Sequence, residues 1–199
     1  MKFILGKKIR MTQVFDKDGK VVPVTIIKAG PSIVTQVKTI EKDGYNSVQI
    51  GFQKITKVKK IKKSMKGKEY KYLKEFEADK KLNIGDFVDL GEFVEGKKII
   101  ISAHSKGKGF QGVIKRHGFH GQTATHGFRH TQRTPGSIGT QGIDRVVKGR
   151  KMSGRMGNKR RTVKGLKIIK IDKENNLLFV KGSVPGRKNT LLELKSIVF

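Results

Sequence analysis

Between Ser102 and Gly165 this sequence loses every period on which a core can be built. The segment holds fifteen Lys and Arg against one acid, Asp144, together with all five histidines and 13 of the chain's 24 glycines. Its apolar residues follow neither the 3.6-residue spacing of a helix nor the alternation of a strand. Such a stretch cannot bury enough surface to offset the entropy of ordering itself. Apolar strand-like runs resume on both sides, so it reads as a long excursion from a packed scaffold, ordered by a partner.

The scaffold reads as short strands with turn punctuation. Ile9–Phe15, Val21–Ala29, Ser32–Ile40 and Ser47–Phe52 are rich in β-branched residues and separated by Asp16–Gly19, Gly30-Pro31 and Asp43-Gly44. Asp-Gly between apolar runs is a hairpin signal, because Gly accepts the positive φ of a tight turn. Ile99–Ala103, Leu166–Asp172, Leu177–Lys181 and Leu191–Phe199 continue the style. Strands at this spacing predict a mainly β fold, a barrel or a sandwich. Residues 57–97 read as a small mixed α/β insertion, with a short helix over Tyr70–Ala78 and a strand-like piece over Asn83–Leu90. Lys57–Lys71 carries eight lysines and one glutamate, and both a solvated face and an RNA contact fit it. The expected organisation is scaffold over 1–56, insertion over 57–97, one scaffold strand over 98–103, loop over 104–165 and scaffold again over 166–199.

The 45 Lys and Arg against 16 Asp and Glu leave a net charge of +29. That excess repels itself in a compact state and calls for an anionic partner. Nucleic acid fits best, since Lys and Arg release the counterions condensed along phosphates. A membrane is the competing anion, but no run approaches the ~20 apolar residues of a spanning helix. The absence of cysteine excludes a disulfide framework and thiolate chemistry. The N-terminal MKFILGKKIRMTQVF has too short an apolar run for a signal peptide, so an intracellular protein is expected.

Three motifs in the loop invite sharper chemistry. Gly107, Gly109 and Gly112 spell G-x-G-x-x-G after a strand. Only Val113–His117 separates Gly112 from Gly118, too little for a helix that could hold a pyrophosphate, and no acid follows at the distance of a ribose ligand. His117 and His120, and His126 and His130, have metal-like spacing but no carboxylate or thiolate partners and glycines between them. Pro135–Gly139 resembles a nucleophile elbow with proline where its first glycine belongs. No catalytic constellation, metal site, cofactor or small-molecule substrate is expected. Histidines 117, 120, 126 and 130, with Phe110, instead suit stacking on bases or donation to phosphate. In KGRKMSGRMGNKRR, Lys148–Arg161, cations including Lys159 and Arg160 alternate with Gly, Ser and Asn, a pattern for close approach to RNA.

SKGKGFQGVIKRHGF, THGFRH, PGSIG, KGRKMSGRMGN and NLLFVKGSVPG, in that order, resemble the L-three family of large-subunit ribosomal proteins, bacterial type. GKKIRMTQVF and YNSVQIGFQ add to a likeness that runs from about Lys2 to Gly186. The resemblance implies a closed β-barrel of the translation-factor type and a long basic loop that penetrates ribosomal RNA towards the peptidyl-transferase centre. It implies binding of 23S-type RNA, support of subunit assembly, neighbouring ribosomal proteins as partners, a place in the cytoplasmic ribosome, and no enzyme activity. Carried over by position, the RNA-binding cations are Lys106, Lys108, Lys115, Arg116, Arg129, Arg133, Lys148, Arg150, Lys151, Arg155 and Arg161, joined by Arg145. The tip falls at Gly139, Thr140, Gln141, Gly142, Ile143 and Asp144, where TQGIDRVV departs from the family pattern. A free nucleic-acid-modifying enzyme would need an acid–base pair or cofactor that the sequence lacks. A general DNA-compacting protein would not need a strand scaffold with one specialised loop.

Overall fold

A computed structural model describes residues 2–16, 18–57, 61–77 and 82–196. It divides into two compact units, Met1–His104 with Arg160–Phe199, and Ser105–Lys159. The first is mainly β. Its strands are β1 (Phe3–Phe15), β2 (Val21–Ala29), β3 (Ser32–Lys38), β4 (Ser47–Lys54), β5 (Tyr70–Phe76), β6 (Phe87–Val88) and β7 (Lys98–His104). After the second unit, with β8 (Gly109–Gln111) and β9 (Gly154–Met156), come β10 (Arg160–Asp172), β11 (Leu177–Lys181) and β12 (Leu191–Ser196).

Six strands form a ring of antiparallel pairings in the order β1-β12-β7-β10-β11-β2, and β2 pairs back with β1. Period-two burial shows why these sequences suit it. In β12, Leu192, Leu194 and Ser196 point inward while their neighbours are half-exposed, and in β11 Leu178 and Val180 do the same. Ile99 and Ile101 of β7 and Ile168 of β10 complete a fully buried lining. β1 and β2 each bury consecutive residues, Phe3–Gly6 and Val24–Ile27. Both faces of these stretches are therefore covered. The Phe3 ring stacks on Phe76 of β5, with centroids 4.8 Å apart.

The structure corrects the expected organisation in four places. β3 and β4 leave the ring and join β5 and β6 in a separate sheet of order β5-β4-β3-β6, so the ring takes only β1 and β2 from residues 1–56. Tyr70–Phe76 is a strand, not a helix, because Tyr72 and Phe76 alternate inward against β4, an aromatic pattern that suits a pleated surface better than its charges suit a helix. Ala78, the end of that expected helix, lies outside the described residues. So do 58–60 of the lysine run and 197–199 of the last strand. The expected strand over Asn83–Leu90 shrinks to Phe87–Val88 and a 3₁₀ turn over Leu90–Glu92. Residues 40–43, expected to end β3 and lead into a tight hairpin, instead form the one-turn helix α1 (Ile40–Asp43).

β10 begins six residues before the apolar run that marks it in the sequence. Arg160 pairs with His104 and Val163 with Ile101. The ladder then gains one extra residue on β10 before Leu166 pairs with Ile99, a bulge that contains Gly165. The following turn is fixed by Asp172, whose carboxylate accepts from the Asn175 N–H at 3.0 Å and from its side-chain amide at 2.8 Å.

One acid braces this unit. Glu193 of β12 is 13% exposed and accepts from Arg160 at 2.5 Å and from Lys74 of β5 at 3.2 Å. Burial pushes its carboxyl up, but the hydrogen bonds from Arg160 and Lys74 outweigh that and hold it below the usual carboxylate range. A depressed folded-state pKa stabilises above the unfolded value near 4.3, and the gain fades as pH falls through the folded value. Glu193→Gln is therefore expected to cost roughly 1 kcal/mol at neutral pH and progressively less below about pH 4, read from urea midpoints across the pH range.

Candidate nucleic-acid interface

The second unit, Ser105–Lys159, is built with almost no core. Among its described residues Val113 is the single buried one. Backbone pairing does the ordering instead. The Ser105 N–H donates to the Lys159 carbonyl at 3.0 Å and the Lys108 N–H to the Met156 carbonyl at 3.0 Å. β8 and β9 then pair antiparallel, Gly109 opposite Met156, Phe110 opposite Arg155 and Gln111 opposite Gly154. The G-x-G-x-x-G thus lies on one leg of a two-stranded antiparallel ladder and ends at the five-residue helix α2 (Val113–His117). Gly157 allows the two legs to touch. Its φ is +77°, and a Cβ there would lie 2.2 Å from the Lys106 carbonyl oxygen.

Cations supply further ties. Arg116 donates through Nη1 to the Met152 carbonyl at 2.6 Å, and the His117 Nε2–H reaches the same oxygen at 3.1 Å. Arg150 donates through Nη2 to the Ser137 carbonyl at 2.7 Å. The Gln122 N–H and the Gln132 carbonyl close a loop at 3.0 Å, and the Gln132 amide spans it to the Ala124 carbonyl. The unit is thus internally hydrogen-bonded, where the sequence predicted order only from a partner.

The structure places the sequence-predicted residues as follows. Lys106, Lys108, Phe110, Lys115, His120, His126, Arg129, His130, Arg133, Arg145, Lys148, Arg150, Lys151, Arg155 and Lys159 are exposed on this unit. Arg116 and His117 are half-buried and engaged with Met152, so their first role is to hold the fold. Arg160 and Arg161 belong to the other unit, on β10, and Arg160 is committed to Glu193. The tip, Gly139–Asp144, is exposed throughout. Sequence reasoning did not single out Phe128, Ile138, Val146 and Val147, which stand in solvent between the cations. Their lack of any period is the one signal that could have marked them, because apolar residues without a period have no common face to bury.

Twelve cations with one acid, interspersed with glycines and exposed apolar side chains, give this unit a positive surface whose chemistry suits phosphate and unstacked bases. A profile of the family described as ribosomal protein L3 matches residues 73–177. The chain is 45% identical to the large ribosomal subunit protein uL3 of Carboxydothermus hydrogenoformans, over 99% of this chain and 98% of that protein. This chain belongs to the ribosomal protein L3 family. Family relatives from Roseiflexus sp. and Dehalococcoides mccartyi, also named large ribosomal subunit protein uL3, are 48% and 46% identical. The alignments cover 98% and 96% of this chain, and 97% and 96% of those relatives. The L3 family is one of ribosomal proteins, not of enzymes, and its place is the cytoplasmic ribosome.

The β8–β9 ladder of this L3-family chain makes a direct prediction. Gly157→Ala forces a left-handed conformation and a clash with backbone, and is expected to cost at least about 2 kcal/mol locally. Hydrogen exchange should show lost protection at Lys108 and over β8 and β9, with β7, β11 and β12 unchanged.

Proposed function

We propose that this protein is a structural constituent of the large ribosomal subunit that binds 23S-type ribosomal RNA and supports subunit assembly. In this reading the unit Ser105–Lys159 enters the RNA and its tip, Gly139–Asp144, approaches the peptidyl-transferase centre. The six-stranded ring is the closed β-barrel of the translation-factor type, lying at the subunit surface among neighbouring ribosomal proteins. The observation that carries the reading is a coreless unit whose cations are nearly all exposed, in a chain matched end to end by large-subunit proteins. A polypeptide this poor in buried surface and this rich in charge gains its full stability against a polyanion.

Phosphate contacts supply most of the affinity, and Phe110 and the exposed histidines fit unstacked bases. By the duplex-DNA rule, about six to ten such contacts lose on the order of a thousandfold or more in affinity between ~50 and ~200 mM salt. Incorporation into a folded RNA shields the contacts and slows that loss.

The deciding experiment is a density gradient of native cell extract washed in high salt. The chain should co-migrate with the large subunit after the wash, and recovery in the light fractions would overturn the assignment. A variant with Lys148, Lys151 and Arg155 changed to Ala should enter subunits at least tenfold less well while its circular dichroism stays that of the parent. These three are chosen because, unlike Arg150, their side chains make no hydrogen bond within the unit among the described residues.

A further inference from the structure

The basic run after β4 gains a meaning from what it borders. On the first unit a depression of about 260 Å³ opens between β1, β2 and the ends of β4 and β5. Lys7, Lys28 and Lys54 stand around it, and Phe52 and Tyr70 contribute its aromatic wall. None of its lining residues is acidic. A second depression shares Gln53 and Lys54 with the first and adds Lys57 and Lys71. Five lysines thus border two adjoining depressions that share Gln53 and Lys54, together called the trough.

Two details show that the aromatic wall is built and not incidental. The Tyr70 ring lies directly across the backbone of Gly51, where a Cβ would come within 2.5 Å of the ring carbon Cγ and 3.0 Å of the Thr35 methyl. Any side chain at Gly51 would push Tyr70 out of place. Beside it, Tyr72 is flanked by the Lys7 ammonium at 5.5 Å and the Lys71 ammonium at 5.4 Å from its ring centroid. These contacts tether flexible lysine side chains beside the trough.

We propose that this trough is a second RNA-binding site, seating one unstacked base of a single-stranded segment against Tyr70. The flanking phosphates lie along Lys7, Lys28 and Lys54 on one side and Lys57 and Lys71 on the other. The volume is below the usual range for drug-sized ligands, and it suits a single nucleobase. A flat aromatic surface bordered by a row of cations is the recurring platform for single-stranded nucleic acid. An acidic peptide would satisfy the lysines but would leave the partly exposed Tyr70 ring unmatched. That the RNA is ribosomal rests on the function proposed above; the binding mode rests on the trough alone.

The test is photo-crosslinking of the full-length protein to a short single-stranded RNA carrying 4-thiouridine, with the adduct mapped by mass spectrometry. An adduct at Tyr70 is expected, and it should persist in the variant with Lys148, Lys151 and Arg155 changed to Ala. Tyr70→Phe should retain RNA binding at the trough, measured in that same loop-variant background, whereas Tyr70→Ala should weaken it about tenfold, the size of one lost base–aromatic stack. Circular dichroism of both variants must match the parent, and Tyr70→Phe guards against a merely structural loss. Adducts confined to residues 105–159 would overturn the trough while leaving the loop's function standing. Competition by poly-glutamate as strong as by RNA of equal charge would equally overturn it, revealing a plain anion surface. Failure of the loop variant to lose ribosome incorporation, with the Tyr70 adduct intact, would overturn the loop assignment and not this one.

Discussion

The antiparallel ladder between β7 and β10 is the constraint from which the rest of the architecture follows. Its last pair sets Arg160 opposite His104, so the chain leaves and re-enters the strand scaffold at neighbouring positions. A long excursion between them therefore opens no gap in the ring, and loop-closure entropy grows only slowly with its length. Within the excursion the two legs pair with each other through the hydrogen bond from Ser105 to the Lys159 carbonyl and through β8 and β9. The same ladder places Arg160 within reach of Glu193, which also accepts from Lys74. Scaffold and brace thus share one register.

Much of this was legible wherever burial and sequence share a period. β2 and β11 stand at their expected bounds because apolar residues bounded by turn signals leave few alternatives. β10 was half-legible: Arg160–Lys164 is held by backbone pairing with both faces largely in solvent, so its side chains carry no alternation to read. β5 misled because Lys74 and Glu75 suit a helix, while the contacts that decide, Phe3 on Phe76 and Phe52 beside Tyr72, join residues far apart in the chain. In the candidate interface the sequence displays charge, since a cation is visible wherever it sits. It does not display the Met152 and Ser137 carbonyls that engage Arg116, His117 and Arg150, because every residue carries a carbonyl. The trough at Tyr70 was hidden for the same reason: its lining comes from β1, β2, β4 and β5 together.

Those carbonyl contacts also explain how a unit with twelve cations and one acid holds a shape. Ion pairs cannot do it, because Asp144 is the only carboxylate available. Backbone carbonyls are the remaining acceptors, and a guanidinium with five donors can satisfy one while keeping others directed outward. Arg116 and Arg150 each satisfy one backbone carbonyl inside the unit, and Arg150 remains exposed. Their architecture and an outward-facing positive surface are compatible, where a carboxylate in the same place would have cancelled the field.

The order of strands around the ring has a consequence for synthesis. β1 lies between β2, its immediate successor, and β12, the last strand of the structure. A ribosome making this chain emits β1 and β2 early, yet Ile4, Leu5 and Ile27 have no closed ring around them until β12 emerges. The β3–β6 sheet draws on residues 32–88 alone and needs nothing from the second half of the chain except its packing. Local pairings form before distant ones, so that sheet is the natural first-folded part. The nascent chain consequently spends most of its synthesis with an apolar ribbon unclosed, and over the last part of it the strongly cationic unit Ser105–Lys159 is present as well. Its vulnerable interval is set by the time from the first strand to the last, not by the stability of the finished fold.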